Sequence, residues 1–151
     1  MLDREYKKSQ NCSVARALEV VGERWTLLIV RDALLGLRRF DQFQESLGIA
    51  RNVLAQRLNR LVEAGLFERV RYSERPERFE YRLTPMGHDL IVPIAGLQQW
   101  GDRYVNDRPP RVLLRGSDRQ PVVVALVLRG TEGIASGEVE MAPLTPAAGH
   151  D

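Results

Sequence analysis

The sequence predicts an α+β fold that is mainly helical, and three observations predict it. Four runs with helical spacing fill residues 13–64, and a glycine follows each of them. The apolar period then drops to two between Leu66 and Leu83, around a charged tip that contains proline. A long helical run to about Tyr104 follows, and after it a small β-like extension.

The first helix carries Val14, Ala17, Leu18 and Val21 at i, i+3, i+4, i+7, with Ser13 as its expected N-cap. Gly22 is expected to end it in the left-handed conformation. The second helix carries Trp25, Leu28, Ile29 and Ala33, and Gly36 closes it. The third is short, with Phe40, Phe43 and Leu47 before Gly48. The fourth runs from about Arg51 to Ala64, with Leu54, Leu58, Leu61 and Val62 on one face and Gly65 at its end. Phe79, Tyr81 and Leu83 then alternate with Glu80 and Arg82, the pattern of a half-buried strand. Paired with the run from Leu66 to Tyr72, it predicts a hairpin whose long loop spans residues 73–78. Thr84-Pro85 reads as an N-cap and a first helical residue, opening a helix to about Tyr104 that Pro93 kinks or loosens by a turn. Beyond Pro110, Arg111–Leu114, Val122–Leu128 and Glu138–Met141 are β-like. Three helices, a recognition-type helix and a hairpin in this order are the plan of a winged helix-turn-helix.

Composition narrows the function. The 151 residues are 44% hydrophobic and 28% charged, which suits a globular domain with a modest appendage. No apolar run approaches the ~20 residues that a spanning helix needs, and the charged opening Met1-Leu2-Asp3-Arg4-Glu5 is unlike an export signal, so a cytoplasmic protein with no membrane partner is expected. One cysteine excludes an internal disulfide framework, and two histidines, His88 and His150, cannot build a His-rich metal centre. No phosphate-loop, dinucleotide-binding, zinc-protease or nucleophile-elbow motif occurs, so neither an enzyme nor a cofactor is expected. Of the 22 basic residues only Lys7 and Lys8 are lysines. Arginine makes bidentate contacts to phosphate and guanine that lysine cannot, although a GC-rich genome gives the same bias.

With Leu54 at the centre of the buried side, the fourth helix presents Asn52, Val53, Gln56, Asn59, Arg60 and Glu63 outward, flanked by Arg51 and Arg57. Asn and Gln pair with adenine, Arg with guanine. Arg75 and Arg78 on the hairpin tip suit phosphate or the minor groove. A solvated helix face and an ordinary charged hairpin explain the same residues. From Arg38 to Arg82 ten arginines face seven acidic residues, a net charge of only +3.

The stretch from Cys12 to Ile29, with Gly22-Glu23-Arg24-Trp25-Thr26-Leu27-Leu28 at its heart, resembles the opening signature of the HxlR family of bacterial transcriptional regulators. Arg39-Phe40-Asp41-Gln42-Phe43, Val53-Leu54-Ala55-Gln56-Arg57-Leu58, Gly65-Leu66-Phe67-Glu68-Arg69, Glu80-Tyr81-Arg82-Leu83-Thr84 and Gly87 resemble later motifs in the same order, over roughly residues 11–105. The resemblance implies a MarR-like winged helix, a homodimer built from the first helix and the helix after the wing, and binding of double-stranded DNA at an inverted-repeat operator, as a repressor. By position it implies Asn52, Gln56 and Arg57 in the recognition helix, Arg39 near the turn before it and Arg75–Arg78 in the wing; with Arg51 and Arg60 from the outer helix face, the expected DNA contacts are Arg39, Arg51, Asn52, Gln56, Arg57, Arg60, Arg75 and Arg78. The family usually has Ser where Ala50 stands, and alanine cannot cap, a loss of about 1 kcal/mol. The expected organisation is a DNA-binding and dimerisation domain over residues 1–106, a β-like extension over 107–142 and a disordered tail over 143–151. The other reading is a winged-helix protein-interaction module that does not bind DNA.

Cys12 occupies the position of a cysteine that some family members use to sense a quinone, an aldehyde or another electrophile. A residue just before a helix N-terminus sits where the dipole favours an anion. The competing and commoner fate is a small hydrophobe buried at the dimer interface. Trp25 and Trp100 are candidates for the walls of a ligand pocket, although core or interface packing explains them more simply. His88 is expected at the surface.

Overall fold

The computed structural model describes residues 12–107 and 111–143, in two compact units divided along the chain between Gly87 and His88. Residues 1–11 and the tail expected beyond residue 143 lie outside the described residues.

The first unit opens with helix α1 (Ser13–Val21). Its N-cap is Cys12 rather than Ser13. Gly22 departs from expectation in a second way: its φ is −79°, in the right-handed region. Glycine is suited there by close approach, since a Cβ would lie 2.4 Å from the Leu18 carbonyl oxygen. The left-handed residue is Trp25, φ 79°, the N-cap of α2 (Thr26–Leu34). Helix α3 (Phe40–Leu47) starts where the Gln42 side chain accepts the backbone N–H groups of Arg38 and Arg39, each at 3.0 Å. Helix α4 (Arg51–Glu63) follows after the short turn at Gly48. Gly36, Gly48 and Gly65 follow their helices as expected, and each adopts positive φ.

The core of this unit joins Ile29 and Val30 of α2, Phe43 of α3 and Leu54, Leu58 and Leu61 of α4. Leu28, expected on the inner face, is 40% exposed, because α2 turns Thr26, Ile29, Val30 and Asp32 inward instead. Asp32 is held by the neighbouring Arg31, whose Nε and Nη2 donate to its Oδ1 at 2.9 and 2.6 Å. Strands β1 (Phe67–Glu74) and β2 (Glu77–Leu83) pair antiparallel, Phe67 opposite Leu83 and Glu74 opposite Glu77, with a bulge between Arg71 and Ser73. Pairing therefore runs nearly to the tip. The loop expected over residues 73–78 shrinks to Arg75-Pro76, and the Ser73 hydroxyl donates to the Pro76 carbonyl at 2.9 Å. Phe67 meets Phe43 edge to face, ring centres 6.5 Å apart. The Tyr81 N–H donates to the Arg38 carbonyl at 2.7 Å, tying the hairpin to the loop before α3.

The helix expected from Thr84 to Tyr104 is two helices, α5 (Pro85–His88) and α6 (Ile91–Tyr104). Pro93 accounts for the break. It has no N–H for the Asp89 carbonyl four residues back, and its ring excludes that carbonyl from a helical position. Helix α6 begins after the excluded turn, which leaves Pro93 in a first turn, where proline is tolerated. Thr84 Oγ1 donates to the Gly65 carbonyl at 2.6 Å and accepts the Gly87 N–H at 3.2 Å, capping α5. His88 is half-buried rather than at the surface.

In the second unit, Ile91, Ile94 and Ala95 of α6 are buried together with Leu113 and Met141. Strands β3 (Arg111–Arg115) and β4 (Val139–Pro143) pair antiparallel. The expected strand at Val122–Leu128 does not form within the chain. Pairing along β3 stops after a bridge of Leu114 with Pro121 and the bond from Val122 N–H to the Leu113 carbonyl. Next to it lies an apolar groove of about 240 Å³, lined by residues that include Ile91, Ala95, Leu113 and Val127. No described helix is long and apolar enough to cross a membrane.

Candidate nucleic-acid interface

Helix α4 projects its outer face into solvent. Arg51, Asn52, Gln56, Asn59, Arg60 and Glu63 are exposed, while Leu54, Leu58 and Leu61 anchor the opposite side. Three apolar anchors spaced four and three residues apart fix the rotation of the helix, and this rotation sets which polar residues face outward. No side chain caps its start at Ala50, so the first-turn amides have no side-chain acceptor at the cap. Arg51 lies over the ring of Phe40 at 4.9 Å, bringing its guanidinium to the α3–α4 corner. Arg39, at the start of α3, lies over Tyr72 of β1 at 4.9 Å.

Two predicted contacts are differently disposed. The Arg57 side chain is 17% exposed, donates from Nε to the Arg24 carbonyl at 3.2 Å and pairs with Glu23. Arg60 pairs with the same carboxylate. Glu23 thus holds two arginines of α4 against the turn between α1 and α2. That turn contains the left-handed Trp25, with Arg24 stacked over its ring at 5.1 Å. A left-handed tryptophan costs of the order of 1–3 kcal/mol, which the surrounding contacts must offset. This brace was missed in the sequence because its partners lie 33 and 37 residues apart. A cleft of about 280 Å³ between α1 and α4 lies beside it, lined by residues including Glu19, Thr26, Arg57 and Glu63.

On the wing, Arg75 and Arg78 are exposed and have no ion-pair partner among the described residues. Arg71 pairs with Glu77 at 3.3 Å, and Arg82 with Glu80. Arg69 lies over Phe79 at 3.7 Å. The hairpin thus pairs Arg71 and Arg82 with its own carboxylates and stacks Arg69 on Phe79, while Arg75 and Arg78 near the tip have no ion-pair partner among the described residues.

Cys12 is exposed at the start of α1, a free thiol in the single chain. Trp25 is half-buried in the first unit, and Trp100 is 59% exposed in the second, its ring 5.7 Å from Tyr104. Neither lines the cleft beside α4 or the apolar groove of the second unit. Among the described residues no cluster of three His, Cys, Asp or Glu side chains is placed to hold a metal.

A family model described as "HxlR-like helix-turn-helix" matches residues 20–109. An uncharacterized HTH-type transcriptional regulator of Mycobacterium tuberculosis is 59% identical over 105 residues, 68% of this chain and 66% of the relative. The chain therefore spans just under two thirds of that relative's length. Among solved structures, PA1607, a candidate transcription factor, superposes with a TM-score of 0.71 at 43% identity, over 82% of this chain and 87% of its own. The redox regulator HypR in its reduced form superposes with a TM-score of 0.57 at 28% identity, over 61% of this chain and 94% of its own.

Proposed function

The chain belongs to the HxlR-like helix-turn-helix family of transcriptional regulators, and on that premise we propose that it binds an inverted-repeat operator as a homodimer and represses transcription. The observation that carries this reading is the outer face of α4, with Arg51, Asn52 and Gln56 exposed near the start of the helix, in the same compact unit as a wing tip bearing unpaired Arg75 and Arg78. The early turns of such a helix are the part that reaches base edges. We assign base reading to Asn52 and Gln56, and phosphate contact to Arg39, Arg51, Arg75 and Arg78. Arg57 and Arg60 act first as the brace to Glu23, and Arg60, still partly exposed, also faces the duplex. Residues 1–106 act together as the DNA-binding and dimerisation domain, with 107–142 as an extension. The protein works in the cytoplasm and carries out no catalysis.

Exposed Cys12 at the head of α1 supports a second layer, in which an electrophile such as a quinone or an aldehyde modifies the thiol and changes operator affinity. The shared fold with HypR, a redox regulator, supports the same layer. Diamide or a quinone should then shift operator affinity in the wild type and leave Cys12→Ser unchanged. Equal responses of the two would move the sensor to a non-covalent pocket.

The experiment that tests DNA reading is a mobility shift with the DNA upstream of the protein's own reading frame. Gln56→Ala should lose roughly 1–3 kcal/mol on that fragment and much less on shuffled DNA. Arg78→Ala should weaken both about equally and make the slope of log affinity against log salt shallower by about one unit. If the wild type retains no duplex at low salt, the protein-interaction module without DNA binding takes over.

A further inference from the structure

We propose that residues 122–128 form a strand only in the dimer, pairing antiparallel with the same segment of a second copy about a twofold axis at Ala125; this rests on the homodimer reading above. The segment is Val122-Val123-Val124-Ala125-Leu126-Val127-Leu128, apolar throughout and with four valines, a composition that favours strand. It runs with no helix, turn or bend, and no strand partner within its own chain. Five of its seven residues stand in water, with Val123 77% exposed, Leu126 104% and Leu128 85%, while Val122 and Val124 on the inner edge are half-buried.

The backbone states which edge is open. In an extended chain the N–H and C=O of one residue point to the same side, and those of its neighbours to the other. Val122 donates to the Leu113 carbonyl at 2.9 Å. Val124 is held at both its groups by the Gln99 side chain of α6, which donates to its carbonyl at 2.9 Å and accepts its N–H. One edge is therefore turned to β3 and α6. The opposite edge presents Val123, Ala125 and Val127, and none of these three has a backbone hydrogen bond among the described residues. A bare apolar edge of this kind is a template for another strand.

Chemistry selects the occupant. From Pro121 to Leu128 there is no charged or polar side chain, so nothing in the segment attracts nucleic acid or a charged peptide. An identical antiparallel copy matches it without further requirement. A twofold axis at Ala125 sets Val123 against Val127 of the other copy and Ala125 against itself, and each facing pair exchanges two hydrogen bonds. Closed symmetry also uses up the edge that would otherwise recruit further chains.

The test is position-specific cross-linking in the full chain, in a Cys12→Ser background, with diamide as oxidant. Ala125→Cys should form a disulfide-linked dimer roughly tenfold or more faster than Val127→Cys, because facing Cα atoms at the axis lie about 5.5 Å apart. The two Val127 positions would be four residues apart along the strands, about 13 Å, beyond disulfide reach. Proline gives an independent readout by sedimentation. Ala125→Pro removes an N–H with no partner inside the chain, so the fold is kept, and it should raise the dimer dissociation constant roughly tenfold or more. Leu126→Pro, whose N–H points to the other edge, should raise it less than about threefold. Equal cross-linking at 125 and 127, or equal effects of the two prolines, overturns the proposal. A dimer that does not cross-link at 125 overturns the strand pairing and leaves the homodimer reading standing. A chain that stays monomeric at all concentrations overturns both, as does a monomer that binds neutral phosphatidylcholine vesicles through this segment.

Discussion

Phe43 and Leu126 are both large apolar side chains, yet the first is completely buried and the second completely exposed. The contrast extends to their surroundings. In the winged-helix unit α2, α3, α4 and the hairpin close over Ile29, Phe43, Leu54, Leu58 and Phe67. In the C-terminal unit one helix meets a two-stranded sheet, and Leu97, Trp100, Tyr104 and most of 122–128 stay in water. Two thin layers cannot cover their own apolar surface. The first unit therefore completes its own core, whereas the second carries surface suited to another chain.

The sharpest way to break the comparison is at the closed core. Phe43→Ala should cost about 3–5 kcal/mol in urea unfolding, since it deletes a sealed ring and its edge-to-face contact with Phe67. A loss below about 1 kcal/mol would show that the first unit is not closed around this ring. At the open surface the expectation reverses. Leu97, 57% exposed in the single chain, should tolerate Leu97→Asp within about 0.5 kcal/mol of monomer stability while the dimer and operator binding are lost together. A monomeric Leu97→Asp protein that still binds the palindrome tightly would uncouple the exposed surface from function.

A smaller effect belongs to the brace. Glu23→Gln releases Arg57 and Arg60, costing about 0–1 kcal/mol of stability for a partly exposed pair. It should also raise affinity for random duplexes and steepen their salt dependence by about one unit, as the freed arginines reach phosphate. An unchanged salt slope would mean that the freed guanidiniums do not reach the backbone. The smallest effect is expected at the surface of the C-terminal unit. The Arg115 guanidinium, through its hydrogen bonds, holds the Asp118 carboxyl below the usual aspartate range, and the exposed guanidinium is itself raised. With the folded value depressed, the stabilisation is present above the ordinary aspartate value of about 4 and is lost as pH falls through the lower folded one. Thermal melts between neutral and strongly acid pH should show Asp118→Asn slightly less stable than wild type at pH 7, with that difference disappearing in acid.

Much of the first unit could be read locally. Glycine stops at 36, 48 and 65, the apolar faces of α3 and α4, and the period-two strand at Phe79–Leu83 all depend on residues within one or two turns of each other. Apolar spacing also identified the outward face of α4, because Leu54, Leu58 and Leu61 leave only one rotation of the helix that buries them together. Local reading had its own miss at the long helix after the wing, where Pro93 acted four residues upstream of itself and moved the break to Asp89–Leu90.

The order of elements and the face of α4 turned to solvent follow from spacing along the chain, because helical and strand periodicity are local properties. Spacing does not show that Trp25 rather than Gly22 is left-handed, that Arg57 and Arg60 bend back to Glu23, or that Val122–Leu128 has no strand partner among the described residues of its own chain. For the last two of these the groups involved are distant in sequence: a carboxylate 37 residues before Arg60, and the Gln99 amide, 25 residues before Val124, which holds the inner edge of the segment. Such pairings depend on how packed elements bring side chains together, and no spacing rule along the chain encodes that.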